Sequence, residues 1–305
     1  MAVKERTVNA VATMHAAAII LGLSEGDRLP TIMELGAELE VSRGTVQNVL
    51  MEMVRTGAIT LETRGHLGTF LTGTDDRALL RQADIHSIYC AMPLPDSGRF
   101  EGLAGGLYGE MEKLDVPVGI LYLTGSARRL RALMEKRLDF VVMSERAAAG
   151  FMRDGAPVEI LHSFPEYSYV NSHYLVVRKG FDIGKAPMVR VGVDEFSTDQ
   201  SYWMNRIFPP ERVVPIPVQY ARVIDHIADG VIDACIWSYE DGYDDSRVQI
   251  RKLPNEGEAV GNTVAVLVVR QEDIGVKNYL KRKLSFQKIY ETQQAVMRGE
   301  RLPDY

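Results

Sequence analysis

The sequence predicts an α/β chain in two parts. A short helical segment closed by a β-hairpin comes first, and a longer region of alternating apolar strands and amphipathic helices follows. Three observations carry this expectation: closely packed helix-start signals within residues 1–74, recurrent strand-like apolar runs after residue 85, and a spacing match between two segments of the second part. At 305 residues and 46% hydrophobic content, the chain is long and apolar enough for two or three units with cores of their own.

The first elements follow from local signals. Val8, Val11, Ala12, Ala16, Ile19, Ile20 and Leu23 recur at helical spacing over residues 4–23, until Gly22 and Gly26-Asp27 end the pattern. Thr31 and Glu34 form a capping box that opens a helix to about Glu40. Ser42 caps another to about Thr56, where Gly57 stops it. Only a tight turn around Glu40-Val41 separates these two helices, which makes a helix-turn-helix with Leu39, Val46, Val49, Leu50 and Met53 packed beneath it. The strands ITLET and GTFLT, joined by Arg64-Gly65-His66-Leu67-Gly68, add a hairpin wing. Residues 1–74 are therefore expected to be a winged helix-turn-helix, and residues 75–84 a polar, helical or linking segment.

Beyond residue 85 the runs SIYCAM, VGILYL, DFVVMS, VEILHS, HYLVVR, VRVGV, VVPIPV, DACIWS and VAVLVV alternate with helical stretches, and a helix over about 276–298 closes the chain. Largely parallel sheets are expected from such alternation. ARRLRALMEKRLDFVVMSE and ARVIDHIADGVIDACIWSYE match in spacing, pairing Ala127 with Ala221, Arg128 with Arg222, Leu133 with Ile227, Asp139 with Asp233 and Ser144 with Ser238. Each follows an apolar strand, so each reads as strand, helix, strand with a serine at the carboxyl edge, where α/β sheets bind ligands. Two lobes follow, one of residues 85–182 with 256–305 and one of residues 183–255, with crossings near 179–185 and 255–261. This layout resembles the type II periplasmic-binding-protein fold, which implies a small molecule held between the lobes of residues 85–305.

In the N-terminal part, Gly26-Asp27-Arg28-Leu29-Pro30-Thr31, Glu34-Leu35, Val41-Ser42-Arg43-Gly44-Thr45-Val46 and Gly68-Thr69-Phe70-Leu71 resemble the DNA-binding domain of GntR-type transcription regulators. The wording RGTVQNVL and RGHLGTFL ahead of a long α/β domain is most similar to the YhfZ group. The resemblance implies a DNA-binding transcription regulator, although Met33 and Gln47 stand where the family pattern usually has arginines. The residues point the same way by their chemistry. Ser42, Arg43, Gly44, Thr45 and Gln47 at the start of the second helix of the motif have the size and hydrogen-bonding capacity to enter a major groove, with Thr31 nearby. Arg64, Gly65 and His66 at the wing tip reach toward the neighbouring minor groove. The competing reading is a protein-docking module, since residues 1–74 carry six Lys/Arg against eight Asp/Glu and the whole chain has a net charge of −6.

Three strand-following turns collect hydroxyls and N–H groups suited to an anion: Ser97 with Arg99, Thr124-Gly125-Ser126 leading into Arg128, and Ser197-Thr198. Each alone is equally a helix cap; together they favour a small-molecule effector bearing carboxylate or phosphate. Ser144 with Glu145, and Trp237 with Ser238 and Glu240, are expected to line the same cleft. Arg128 and Arg222 otherwise form surface salt bridges. His162, Glu166 and His173 match no standard metal spacing, no catalytic signature occurs, and no metal or cofactor is expected. The rival to a regulator is an enzyme working in the two-lobed domain with the winged helix as an accessory. Cys90 and Cys235 lie in apolar runs as buried free thiols. Without an apolar run of membrane-spanning length or a signal-like start, the protein is expected in the cytoplasm, with no membrane partner, as a homodimer on a double-stranded DNA operator.

Overall fold

The computed structural model describes residues 2–218, 222–238, 246–254 and 257–305; Ala221 and Glu240, both named above, lie outside them. The chain packs as two compact units, one of residues 1–88, 110–119 and 271–285 and one of residues 89–109, 120–270 and 286–305.

In the first unit, α1 (Ala2–Ile20), α2 (Ile32–Glu38) and α3 (Arg43–Arg55) are followed by the antiparallel pair β1 (Ile59–Thr63) and β2 (Thr69–Thr74). The capping box forms: the Thr31 amide donates to the Glu34 carboxylate at 2.6 Å, and the Glu34 amide donates to the Thr31 hydroxyl at 3.2 Å. These hydrogen bonds hold the Glu34 carboxyl below its ordinary pKa. Between α2 and α3 the backbone turns through Glu40 at φ 53°, and Gly36 lets the Val41 carbonyl approach to 3.1 Å from where a Cβ would stand. Leu35, Val46, Val49 and Met53 are buried with Ala12, Ala16, Ala17 and Ile20 of α1, whereas Leu39 and Leu50 are only half-buried.

Residues 75–84 pack as well as link. They form α4 (Asp76–Gln82), whose Leu79 and Leu80 are buried and whose Asp76 pairs with Arg282 and Lys283 on α10 (Ile274–Lys283). Burial alone would raise the Asp76 pKa, but the two cations hold it below its ordinary value.

The second unit carries two five-stranded sheets. The first contains β3 (Ile88–Met92), β4 (Val118–Tyr122), β5 (Phe140–Ser144), β6 (Val158–Ser163) and β12 (Ala265–Arg270) in the order β4-β3-β5-β12-β6. The second contains β7 (His173–Arg178), β8 (Val189–Val193), β9 (Val213–Pro217), β10 (Ala234–Ser238) and β11 (Val248–Lys252) in the order β9-β8-β10-β7-β11. Read from corresponding edges the two orders are equivalent, and they define the two lobes.

The matched aspartates occupy equivalent places. At the start of β5 the Tyr89 amide donates to the Asp139 carboxylate at 2.7 Å, and at the start of β10 the Arg190 amide donates to Asp233 at 3.1 Å. Each aspartate thus ties its strand to the neighbouring one.

Two expectations are corrected. HYLVVR, read as part of lobe one, is β7 and pairs with β10 and β11 in lobe two, so the first crossing lies in residues 164–172 and not near 179–185. The physical reason is long-range pairing, to which the turn after β7 is indifferent. The sheets are also mixed: β12 runs antiparallel to β5 and β6, and β7 antiparallel to β10 and β11, because each enters its lobe from the crossing side. The crossings are bonded to one another, the Tyr169 amide donating to the Thr263 carbonyl at 2.8 Å and the Leu253 amide to the His173 carbonyl at 2.9 Å.

Candidate functional site

On the first unit, the start of α3 presents an outward polar edge. Ser42 accepts from the Thr45 amide at 3.2 Å, and its hydroxyl lies 3.0 Å from that of Thr45, so both serve the cap while Ser42 stays exposed. Arg43 and Gln47, four residues apart on one face, are exposed, and the side chain of neither has a hydrogen bond or ion pair among the described residues. Gly44 beside them is open to solvent, and exposed Asn48, which sequence reasoning passed over, extends the edge. Thr31 is committed to its capping box. In the wing, Gly65–Leu67 form a tight 3-10 turn with His66 exposed, while Arg64 pairs with Glu62 at 2.7 Å and lies over Phe70. Arg28, exposed and bridged to Phe70, adds a cation beside Gly68.

On the second unit, the lobes meet through helix N-termini. These belong to α6 (Ser126–Met134) and α7 (Glu145–Arg153) in lobe one and to α8 (Thr198–Ile207) in lobe two. The Ser126 and Thr198 hydroxyls lie 3.0 Å apart, and the Ala127 amide donates to the Phe196 carbonyl at 3.0 Å. Gly125, at φ 77°, permits this approach, since a Cβ there would stand 2.4 Å from that of Phe196. Arg128 donates to Thr124 at 3.0 Å and lies over the Phe196 ring. Four of the expected turn residues, Thr124, Gly125, Ser126 and Thr198, therefore converge, with Arg128 alongside and Ser197 capping α8 through the Gln200 amide at 3.3 Å.

A second cation, missed in the sequence, crosses the same seam. The Arg146 Nε donates to Asp199 at 3.0 Å and to Asn262 at 2.9 Å, and Nη2 donates to the Thr198 carbonyl at 2.7 Å. Its side chain is 16% exposed and that of Asp199 is 9% exposed, which makes this a largely desolvated pair. Next to it His173, buried in β7, is pushed down to about 4 by burial; Asp199 raises it and Arg146 lowers it.

The other expected residues have the following partners. Ser144 is fully buried and caps α7 through the Ala147 amide at 3.1 Å, Glu145 accepts from Ser163 at 3.5 Å, and Ser238 stands opposite His173 in the β10–β7 register beside half-buried Trp237. Ser97 accepts from the Phe100 amide at 3.4 Å, and buried Arg99 reaches the Tyr167 carbonyl on the first crossing. His162 stacks on Phe286 in lobe one, away from His173 in lobe two. Burial raises the pKa of both thiols, Cys90 and Cys235.

The family model for a helix-turn-helix domain matches residues 24–71, and that for the YhfZ C-terminal domain matches residues 75–305. The helix-turn-helix match is coarser than the GntR-type kinship suggested by the motifs. The chain is 31% identical over 288 residues to the protein YhfZ of Escherichia coli (strain K12), covering 94% of each. The crystal structure of YhfZ from Shigella flexneri matches 75% of this chain and 97% of its own at 27% identity and a TM-score of 0.62. The alkanesulfonate-binding protein SsuA of Xanthomonas axonopodis pv. citri has the same two-lobed fold, at 11% identity and a TM-score of 0.50 over 70% of this chain and 75% of its own. A helix-turn-helix part, a binding-protein-like part and likeness along nearly the whole length meet in one statement: the chain belongs to the YhfZ family.

Proposed function

We propose that the protein is a sequence-specific DNA-binding transcriptional regulator whose operator affinity is set by a small anionic molecule held between the lobes of its second unit. The observation that carries this reading is the pairing, in one chain, of an exposed Arg43–Gln47 edge on a capped helix-turn-helix with two lobes that meet through helix N-termini. The first has the dimensions and chemistry for base edges and phosphates. The second concentrates N–H donors and hydroxyls where an anion binds. The ligand favours one arrangement of the lobes, and its effect on DNA equals its differential affinity for the two arrangements. Two protomers present α3 to half-sites about one DNA turn apart in the cytoplasm.

Fluorescence anisotropy with genomic fragments, at one fixed salt concentration, tests this reading. A preferred fragment is expected to bind at least about a thousandfold more tightly than random DNA, and Arg43→Ala is expected to lower that affinity about tenfold or more. Equal binding to all fragments, or no small molecule that alters binding, overturns the reading.

A further inference from the structure

Among the fully buried side chains of the described residues one is an arginine. Arg129, on the first turns of α6, is 1% exposed. Its guanidinium donates to the Leu123 carbonyl and, at 3.0 Å, to the Tyr169 hydroxyl, while Nε is buried without a partner. None of the described residues forms an ion pair with it. Of the acids near Tyr169, Asp199 is held by Arg146, and neither it nor Asp96 reaches Arg129. A guanidinium remains charged at any physiological pH, and an uncompensated buried charge is unfavourable unless something pairs with it.

The repeat shows that the fold itself does not ask for this arginine. In the alignment that pairs Arg128 with Arg222, Arg129 falls opposite Val223 of α9 (Val223–Ala228), which is 4% exposed. Lobe two fills the equivalent place with an apolar side chain. In lobe one the charge stands where the ends of β3 and β4 meet the first crossing, the Leu123 amide donating to the Met92 carbonyl at 3.0 Å and Tyr169 lying on the crossing itself. Carboxyl strand ends of this kind are where ligands bind in α/β sheets.

We propose that Arg129 and Tyr169 form the anion receptor of the effector site and take the carboxylate of a small organic acid. The proposal deepens, and rests on, the ligand-binding reading above. The Nε–H, closed to solvent in this structure, and the remaining Nη protons become the planar edge that suits two carboxylate oxygens when the site opens. Tyr169 accepts from Arg129 and keeps its own proton to donate, burial holding its pKa up to about 12. Arg129 is the one buried cation of this receptor without an acid among the described residues, and with Asp96 and Asp199 near Tyr169 it favours a single negative charge over a phosphate dianion.

Thermal unfolding of the full-length protein in sodium acetate or propionate, against sodium chloride, inorganic phosphate and neutral acetamide at matched ionic strength, tests the assignment. Acetate and propionate at about 100 mM are expected to raise the midpoint by about 2–4 °C, and the other three to leave it in place. Arg129→Val is expected to melt at or above the wild-type temperature and to lose the acetate response. Arg129→Lys, which keeps the charge and loses the planar edge, is expected to retain less than about half of it. Tyr169→Phe is expected to weaken acetate about fivefold to tenfold. An Arg129→Val protein that melts well below wild type, an acetate response that survives in either arginine variant, or a phosphate response equal to that of acetate overturns the proposal. The two readings separate in the DNA titration. If a neutral or cationic compound shifts fragment affinity and no carboxylate does, the anion receptor and the anionic character of the effector fall while the ligand-responsive regulator stands; if no compound of any class does, both readings fall.

Discussion

The two lobes share a strand order and differ in what they enclose. In lobe one every residue of β5 and β12 is buried, and α6 and α7 cover the sheet with nine residues each. In lobe two the equivalent strands β10 and β7 leave Trp237, Ser238 and Arg178 half-buried, the edges β9 and β11 are more open than β4 and β6, and α9 spans six residues. The same topology is therefore filled to different depths. Lobe one is a densely packed frame that also buries a charge, and lobe two is a thinner body attached to it by two crossings. Regions with fewer buried apolar contacts open more readily, which assigns the larger excursions to lobe two.

The largest expected effect tests the difference in depth. Leu267→Ala, in the centre of β12, is expected to cost about 3–5 kcal/mol of unfolding free energy, and Ile216→Ala, half-buried in β9, less than about 1.5 kcal/mol. Urea unfolding of the two variants checks this, and comparable losses would erase the distinction.

Next comes the seam. Arg146→Ala leaves the Asp199 carboxylate desolvated without its cation, so a loss of about 3 kcal/mol is expected, relieved as the lobes part. Small-angle scattering should then report a larger radius for the variant, and an unchanged radius would show that Arg146 does not hold the lobes together.

Acid provides a probe of lobe two. His173 is neutral in the fold, with a pKa of about 4 against 6.5 in the unfolded chain. Below pH 6.5 the unfolded chain takes up the proton first, so stability present above that pH is lost as pH falls toward 4, by up to about 3 kcal/mol. His173→Gln should flatten this part of the stability profile; a variant as acid-sensitive as wild type would assign the loss to other groups.

The smallest effect concerns the matched aspartates. Asp139→Asn and Asp233→Asn are each expected to cost about 1–2 kcal/mol, the latter somewhat less sensitive to burial because its partners Arg178 and Arg190 are half in solvent. Hydrogen exchange should report the loosening in β5 for the first and β10 for the second. Exchange that changes in the wrong lobe would break the equivalence.

What the sequence disclosed follows the range of each signal. The helix-turn-helix was legible because its boundaries are local: Thr31 with Glu34 and Ser42 with Thr45 fix helix starts within a few residues. The membership of β7 was not, since HYLVVR is equally apolar in either sheet and only its pairing with Trp237 and Cys235 of β10 decides. At the seam, the convergence of the 124–126 turn and Thr198 was legible from their hydroxyls, whereas the sequence did not disclose that Ser144 is buried as the cap of α7. Arg129 was hidden by its neighbour Arg128, since a basic pair on an amphipathic helix reads as solvent-facing. The available signal was its alignment with Val223, which places it on the buried face.

The bonds between the two crossings have a mechanical meaning. Because the two crossings are bonded at both ends, through Tyr169 with Thr263 at one and through Ser172 with Leu253 at 3.2 Å and His173 with Leu253 at the other, they bend together more readily than apart. Two pins tied at both ends favour one axis to swing about. Whatever parts or closes the lobes then acts through a single coordinate, and the output is graded only by how long the molecule dwells at either end of one arc.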